Sequence, residues 1–183
     1  MTDERVQQRA SELMTLADLF RQLGRPPGAE DGINAPLDLR DADLAGMDLS
    51  VLHMLVVDFR NARLAGADFS RVSLSGSDFR GADLRQATFV EADVSDAHFD
   101  TADLTEATFA HADVSGASFD GATMVRALLA HVDASYATFT GTNLRGASLH
   151  GADVSAADLA DALTDEATIL APITSDALTR LPR

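Results

Sequence analysis

Between residues 37 and 161 the chain repeats a pattern of five residues in which every fifth position is apolar. The central apolar residue recurs without an insertion in 25 units, from Leu39 to Leu159. The residue two places before it is Ala in 17 units, and the residue one place before it is Asp in 13. Gly recurs two places after the central residue, and all five Pro lie outside 37–161. The pattern predicts that the central residue and the small residue two places earlier face a common interior.

A period of five residues fits neither an α-helix nor a continuous strand. On an α-helix five residues advance by about 500°, so the central residues would spiral around every face. On a continuous strand an odd step sends successive central residues to opposite faces. The spacing of two within each unit is typical of a strand, and Gly after the centre suits a turn. The repeat therefore predicts short extended sides joined by turns.

The phenylalanines indicate how many units make one circuit. Eight of the nine Phe are central residues, and they form two series in which each Phe follows the previous one by four units. One series is Phe59, Phe79, Phe99, Phe119 and Phe139, and the other is Phe69, Phe89 and Phe109. Four units per circuit would stack Phe on Phe along two opposite sides, at the sheet spacing of about 4.8 Å. The fold class predicted is an all-β solenoid, a quadrilateral coil of about six circuits.

Two groups of residues within the repeat carry a family resemblance. Ala92-Asp93-Val94-Ser95-Asp96 and Ala102-Asp103-Leu104-Thr105-Glu106 match the A(D/N)LXX pattern, so the chain resembles the pentapeptide-repeat family over about two thirds of its length. The resemblance implies a right-handed quadrilateral β-helix. It also implies a likeness to bacterial members that mimic DNA, bind DNA gyrase and protect it from quinolones. This chain departs from those members because its units run without a loop insertion.

The ends of the solenoid need caps, because an open coil edge exposes unpaired backbone groups. We expect an N-terminal α-helix over 1–24, a linker over 25–36, the repeat over 37–161 and a short C-terminal cap over 162–183 with a helix beginning at Ser175. The N-terminal helix either folds back over the apolar corner of the first coil or mediates assembly. The resemblance implies a homodimer through the C-terminal end as a further arrangement.

Composition narrows the function. The chain has 29 acidic and 14 basic residues, a net charge of −15, which argues against binding nucleic acid or an anionic membrane by charge attraction. Cys is absent, so thiolate metal sites and cysteine nucleophiles are excluded. The sequence contains no nucleophile elbow, phosphate loop or membrane-spanning apolar run. Because its first residues are charged and no apolar region follows them, we expect no secretory signal. We expect a non-enzymatic cytoplasmic protein with no cofactor and no metal, with His111 and His131 as exposed surface residues.

The acidic residues are the candidate site. Stacking places Asp93, Asp113, Asp133 and Asp153 in one column, called here the acidic column, with Asp96 beside it. Supporting acids are Asp83, Asp100, Asp103 and Asp120. One hypothesis is a DNA mimic that binds a type II topoisomerase such as DNA gyrase. Another is a scaffold whose partner contacts an apolar strip at Val90 and Leu128 or the N-terminal helix, and the simplest interpretation is that Asp only forms turns and keeps the rod soluble.

Overall fold

A computed structural model describes residues 36–50, 52 and 56–182. The predicted helix over 1–24 lies outside the described residues, as does the linker except for its last residue, so both stay predictions. The described part opens with two strands, β1 (Leu37–Asp38) and β2 (Val57–Asp58), which pair in parallel with Leu37 opposite Val57. In the ranges just given there is no helix, and so none that could cross a membrane.

Apart from the β1–β2 pair, the coils are joined by single parallel bridges, and all but the last three link a residue to the equivalent residue four units later. Asp83 pairs with Asp103, and Asp103 pairs with Thr123. Four such series of bridges alternate along the chain, one for each unit of a circuit, so one circuit has four sides. This confirms the predicted register. We number the sides by their central residues: Phe59 and Phe79 on the first, Leu64 and Leu84 on the second, Phe69 and Phe89 on the third, and Leu74 and Val94 on the fourth.

Each side ends in a tight turn that makes the corner of the coil. At one corner the backbone N–H of Ala102 donates to the C=O of Phe99 at 3.0 Å, and Thr101 between them has φ of 59°. A positive φ at the third of four residues is the geometry of a type II turn, which Gly adopts most readily. A side chain there costs about 1–2 kcal/mol. The N–H of Thr101 offsets part of that cost, because it donates to the C=O of Asp120 in the next coil at 3.0 Å.

The interior is filled by the central residues, with the small residues beside them. Phe99 stacks on Phe79 with ring centroids 4.8 Å apart and an interplanar angle of 6°. It also meets Phe89 edge-on at 5.7 Å and 89°. Phe99 belongs to the first side and Phe89 to the third, so these two sides face each other across the core. The central residues that the structure describes are buried, as are Ala residues two places before them such as Ala82, which confirms the predicted inward positions.

The C-terminal segment continues the coil, so the prediction of a helix beginning at Ser175 is wrong. Regular bridges join residues that are 20 positions apart in the sequence. In the last four bridges this separation is 20, 21, 21 and 22 residues. The pairs are Asn143 with Leu163, Ser148 with Ile169, Asp153 with Thr174, and Asp158 with Arg180. Two sides of this last coil therefore contain one residue more than the regular five.

Two similar turns, at 165–168 and 176–179, take up the extra residues. In the first, Asp165 Oδ1 accepts the backbone N–H of Gly146 at 3.0 Å, and in the second Asp176 Oδ1 accepts that of Ala156 at 3.0 Å. At regular corners this N–H donates to a backbone C=O of the following coil. The carboxylates replace those carbonyls, and we call the two turns the carboxylate clamps. Because a Ser-Asp-x-x-Thr sequence suits a helix start as well as such a turn, the pattern alone was ambiguous.

Candidate functional site

The position before the central residue of the fourth side is Asp in four consecutive coils. The parallel bridges join Asp93 to Asp113, Asp113 to Asp133, and Asp133 to Asp153. Adjacent strands lie about 4.8 Å apart, so the acidic column extends roughly 14 Å along the rod. The structure thus brings these four residues together in the order that the four-unit register predicts.

Each carboxylate of the acidic column also holds the turn that follows it. The backbone N–H of Ser115 donates to Asp113 Oδ1 at 2.9 Å. The same contact recurs at Asp93, Asp133 and Asp153, at 3.2, 3.0 and 2.9 Å. These bonds fix the orientation of the side chains, and they show that Asp has a structural role here. Turn formation uses one oxygen, so the negative charge of each carboxylate is still available to a partner.

Arginine neutralises acids of the first side in the earlier coils but not the acidic column. On the first side Arg60 pairs with Asp58 and Arg80 pairs with Asp78, each with a shortest N–O distance of 2.6 Å. Within the part of the chain that the structure describes, no Arg forms an ion pair with a member of the acidic column. The negative charge of the fourth side is therefore uncompensated, whereas the first side is close to neutral in its early coils.

The pKa values of Asp78 and Asp83, two carboxyls that arginine contacts, are lowered. Burial raises the pKa of Asp78, but the hydrogen bonds and the charge of Arg80 outweigh burial and the pKa lies below its ordinary value. Hydrogen bonds from the Arg85 side chain lower the pKa of Asp83 against a smaller opposing effect of burial. Asp83 therefore stays ionised at neutral pH, and its charge is matched by Arg85 at 2.7 Å.

The supporting acids lie on other parts of the coil than the acidic column. Asp83 and Asp103 bridge to each other on the second side, which is opposite the fourth. Asp100 and Asp120 follow central Phe residues of the first side. Asp96 occupies the corner between the fourth side and the first, with φ of 55°. A partner surface that covers the fourth side reaches Asp96 but not the second side.

The predicted apolar strip lies on the third side, which adjoins the fourth. Leu128 is 51% exposed, and Val90 is half-buried. Leu128 bridges to Thr108 and Ser148, so its neighbours along the side are uncharged. From Thr88 to Ser148 the third side therefore offers an uncharged surface on a strongly acidic protein, whereas its earlier coils carry Asp48 and Asp68.

Tyr136 is an exposed aromatic residue that the sequence analysis did not single out. It lies at the corner after the fourth side with φ of 60°, and 70% of it is exposed. The corners of the adjacent coils carry Gly116 and Ala156, so the ring stands beside small residues. Tyr is frequent at the centres of protein interfaces. The signal was present in the sequence, because an aromatic residue stands where the repeat favours Gly.

Four short sides per circuit, stacked in parallel around an apolar interior, define a β-helix built from five-residue units. A model of the pentapeptide repeat region matches residues 52–127, and a model of pentapeptide repeats in eight copies matches 122–161. The two models together cover more than half of the chain. The chain belongs to the pentapeptide repeat family, whose members fold as right-handed β-helices.

Several solved structures are similar to this chain. A pentapeptide repeat protein from the thylakoid lumen of Arabidopsis thaliana is 34% identical over 60% of this chain and 66% of its own, with a TM-score of 0.48. QnrB1, a plasmid-mediated fluoroquinolone resistance protein, is 17% identical over 78% and 80%, with a TM-score of 0.42. HetL from Nostoc sp. strain PCC 7120, involved in regulating heterocyst differentiation, is 26% identical over 82% and 72%, with a TM-score of 0.25. No curated protein matches the chain by sequence.

Proposed function

We propose that the protein is a non-enzymatic binding protein of the cytoplasm, an acidic rod of about six coils that mimics DNA. Its fourth side would occupy a basic, DNA-binding surface of a protein partner. DNA gyrase is the partner that the family resemblance suggests, and binding would modulate its inhibition or its sensitivity to drugs. The observation that supports the proposal is the acidic column, four carboxylates in register that no Arg of the described residues neutralises.

The charge of the acidic column is lower than that of DNA but of the same order. B-DNA carries one charge per roughly 1.7 Å of its axis. The acidic column alone supplies one charge per roughly 4.8 Å, about a third of that density. Asp96 at the adjoining corner adds to it. A basic groove that binds DNA would therefore attract this side of the rod, and salt would screen the attraction.

The variant that tests the proposal is Asp113→Asn/Asp133→Asn. Asn keeps a side-chain oxygen for the turn, as Asn143 does in its own unit with an N–O distance of 3.4 Å. Asp48→Asn/Asp68→Asn is the matched control. Those two residues bridge to each other on the third side and accept the same turn hydrogen bonds, at 3.0 and 2.8 Å. Both variants lose the same charge, but only one loses it from the acidic column.

The assay is DNA supercoiling by purified gyrase, with and without a quinolone, at increasing concentrations of the protein. The unmodified protein is expected to inhibit supercoiling or to protect the enzyme, less so as salt rises. Neutralising two charges of the acidic column should weaken the effect about tenfold, while the control stays unchanged. Absence of any effect at micromolar protein would exclude gyrase as the partner. Equal losses in the two variants would show that the acidic column is irrelevant.

A protein–protein scaffold is the second candidate function. It is supported by Leu128, which is 51% exposed and lies with Val90 on the uncharged later coils of the third side. Burying a Leu side chain contributes about 1.5–3 kcal/mol, and this contribution depends little on salt. Binding through the strip would therefore survive both high salt and neutralisation of the acidic column. A homodimer through the C-terminal end is a related proposal, supported by Leu178 and Leu181, which are both exposed.

A further inference from the structure

Asp96, Gly116 and Tyr136 occupy the same corner, between the fourth side and the first, in three successive coils. All three have a left-handed backbone, with φ of 55°, 67° and 60° in that order. Neighbouring coils are about 4.8 Å apart, so the backbones of Asp96 and Tyr136 are separated by roughly 10 Å along the rod. We call this group of three residues the Tyr136 corner. It borders the acidic column, because Asp133 precedes Tyr136 in the same unit.

The carboxylate of Asp96 extends over the glycine of the next coil. A Cβ atom at Gly116 would overlap Oδ1 of Asp96, so the carboxylate uses the space that a side chain would fill. Asp96 is exposed. Within the described ranges no cation pairs with this carboxylate and no group donates a hydrogen bond to it. An unneutralised negative charge therefore lies along the rod in the direction of Tyr136.

The ring of Tyr136 lies one coil beyond Gly116. Tyr136 is 70% exposed, and among the described residues its ring stacks on no other ring and its hydroxyl has no hydrogen-bond partner. The corner residues before and after it are Gly116 and Ala156, so neither neighbour in this column has a side chain longer than a methyl group. The Tyr136 corner thus presents an open aromatic ring and a free carboxylate on either side of a residue without a side chain.

We propose that the Tyr136 corner binds an arginine side chain on the basic surface of the protein partner, an inference that rests on the proposed function. A guanidinium is planar, so it stacks on an aromatic ring while its N–H groups donate to a carboxylate. Tyr136 supplies the ring and Asp96 supplies the carboxylate. The ammonium of Lys is a compact, strongly hydrated charge and gains less from the ring. The acidic column therefore attracts a basic surface, and the Tyr136 corner favours Arg over Lys within that surface.

The test is titration of labelled oligoarginine, and of oligolysine of the same length, with the full chain at low salt, followed by fluorescence anisotropy. The key variant is Tyr136→Ala. Ala156 stands at the next corner of the same column with φ of 58°, so this turn accepts Ala. Leu128→Ala is the matched control, because it removes an exposed apolar side chain from the third side. Tyr136→Ala should weaken binding of oligoarginine about threefold and leave oligolysine unchanged, while Leu128→Ala should change neither.

Two further variants separate the ring from the hydroxyl and the carboxylate from its charge. Tyr136→Phe should bind oligoarginine like the parent, because the ring makes the contact. Asp96→Asn should weaken binding of oligoarginine about threefold, and Asn61 shows that a corner accepts Asn, with φ of 58°. The sequence has one Tyr and no Trp, so tyrosine fluorescence of the unmodified chain reports on this corner alone. It should change when oligoarginine is added and stay constant with oligolysine.

Several outcomes would overturn the proposal. They are no binding of oligoarginine by the parent, equal losses for the two peptides in Tyr136→Ala, an equal loss in Leu128→Ala, unchanged binding in Asp96→Asn, or constant tyrosine fluorescence. The titrations contain no gyrase, so their result is independent of the supercoiling assay. If the protein leaves gyrase unaffected but Tyr136 discriminates between the peptides, gyrase is excluded and the arginine site stands. If supercoiling depends on the acidic column but Tyr136→Ala binds both peptides like the parent, the arginine site is refuted and the proposed function stands.

Discussion

Replacing Phe99 by Ala removes one ring from the middle of a phenylalanine stack. Phe99 stacks on Phe79 and Phe119 at 4.8 and 5.0 Å. It also meets Phe89 and Phe109 edge-on, each at 5.7 Å. The ring is fully buried, and stacked coils cannot close on the space that it leaves without shifting their backbone bridges.

The size of the effect follows from these contacts. Replacing a buried Phe by Ala lowers the free energy of unfolding by about 3–5 kcal/mol. Each aromatic pair stabilises the fold by roughly 0.5–1.5 kcal/mol beyond the contribution of the buried area. We expect a cost of about 5 kcal/mol for Phe99→Ala. Phe139 stacks on Phe119 at 5.0 Å, and it has no other ring contact among the described residues. Phe139→Ala should therefore cost less, about 3 kcal/mol.

Urea unfolding of the full chain, followed by circular dichroism, measures both values. Asp103→Ala serves as the surface control. Among the residues that the structure describes, the Asp103 carboxylate accepts hydrogen bonds from the N–H and hydroxyl of Thr105 alone, at 3.1 and 2.6 Å, and Arg85 lies 3.9 Å away. Its expected cost is below about 1.5 kcal/mol. If Asp103→Ala were as costly as Phe99→Ala, the assignment of inward and outward positions would be wrong. Equal costs for the two Phe variants would refute the role given to aromatic stacking.

Two further predictions concern pH and the C-terminal end. The carboxyls whose pKa is lowered in the folded state are Asp78, Asp83, Glu106, Asp165 and Asp176. In the unfolded chain these carboxyls bind protons at higher pH than in the folded chain. The stability that they contribute is therefore present above about pH 4.5 and is lost as the pH falls through their lowered pKa values. Urea unfolding midpoints measured between about pH 7 and pH 2.5 should show this loss. Asp176→Ala removes the acceptor of the Ala156 N–H, so hydrogen exchange at Ala156 should accelerate. Exchange at Ala102, the control, should stay slow. Unchanged exchange at Ala156 would contradict the role of the carboxylate clamps.

The regular part of the fold could be predicted because each buried position packs against the equivalent position of the neighbouring coil. The series that begin at Phe59 and Phe69 each place one Phe per circuit, since each ring packs on its own equivalent in the next coil. The last coil could not be predicted in the same way. One-residue insertions before Ile169 and Arg180 break the count of five, and the carboxylate clamps that absorb them depend on contacts with Gly146 and Ala156 in the preceding coil.

The charge of each side depends on two outward positions taken together, not on the number of acids in a segment. The residues before and after a central residue both face outward, two places apart, so their side chains meet. In Asp58-Phe59-Arg60 the carboxylate and the guanidinium therefore form an ion pair within one unit, with an N–O distance of 2.6 Å. Asp113-Val114-Ser115 instead joins the carboxylate to a serine N–H at 2.9 Å and keeps its charge. The net charge of the whole chain does not reveal this distinction. Comparing the two positions unit by unit predicts which sides of such a coil are neutral and which are acidic, and the fourth side is acidic because Asp-x-Ser recurs there in four successive coils.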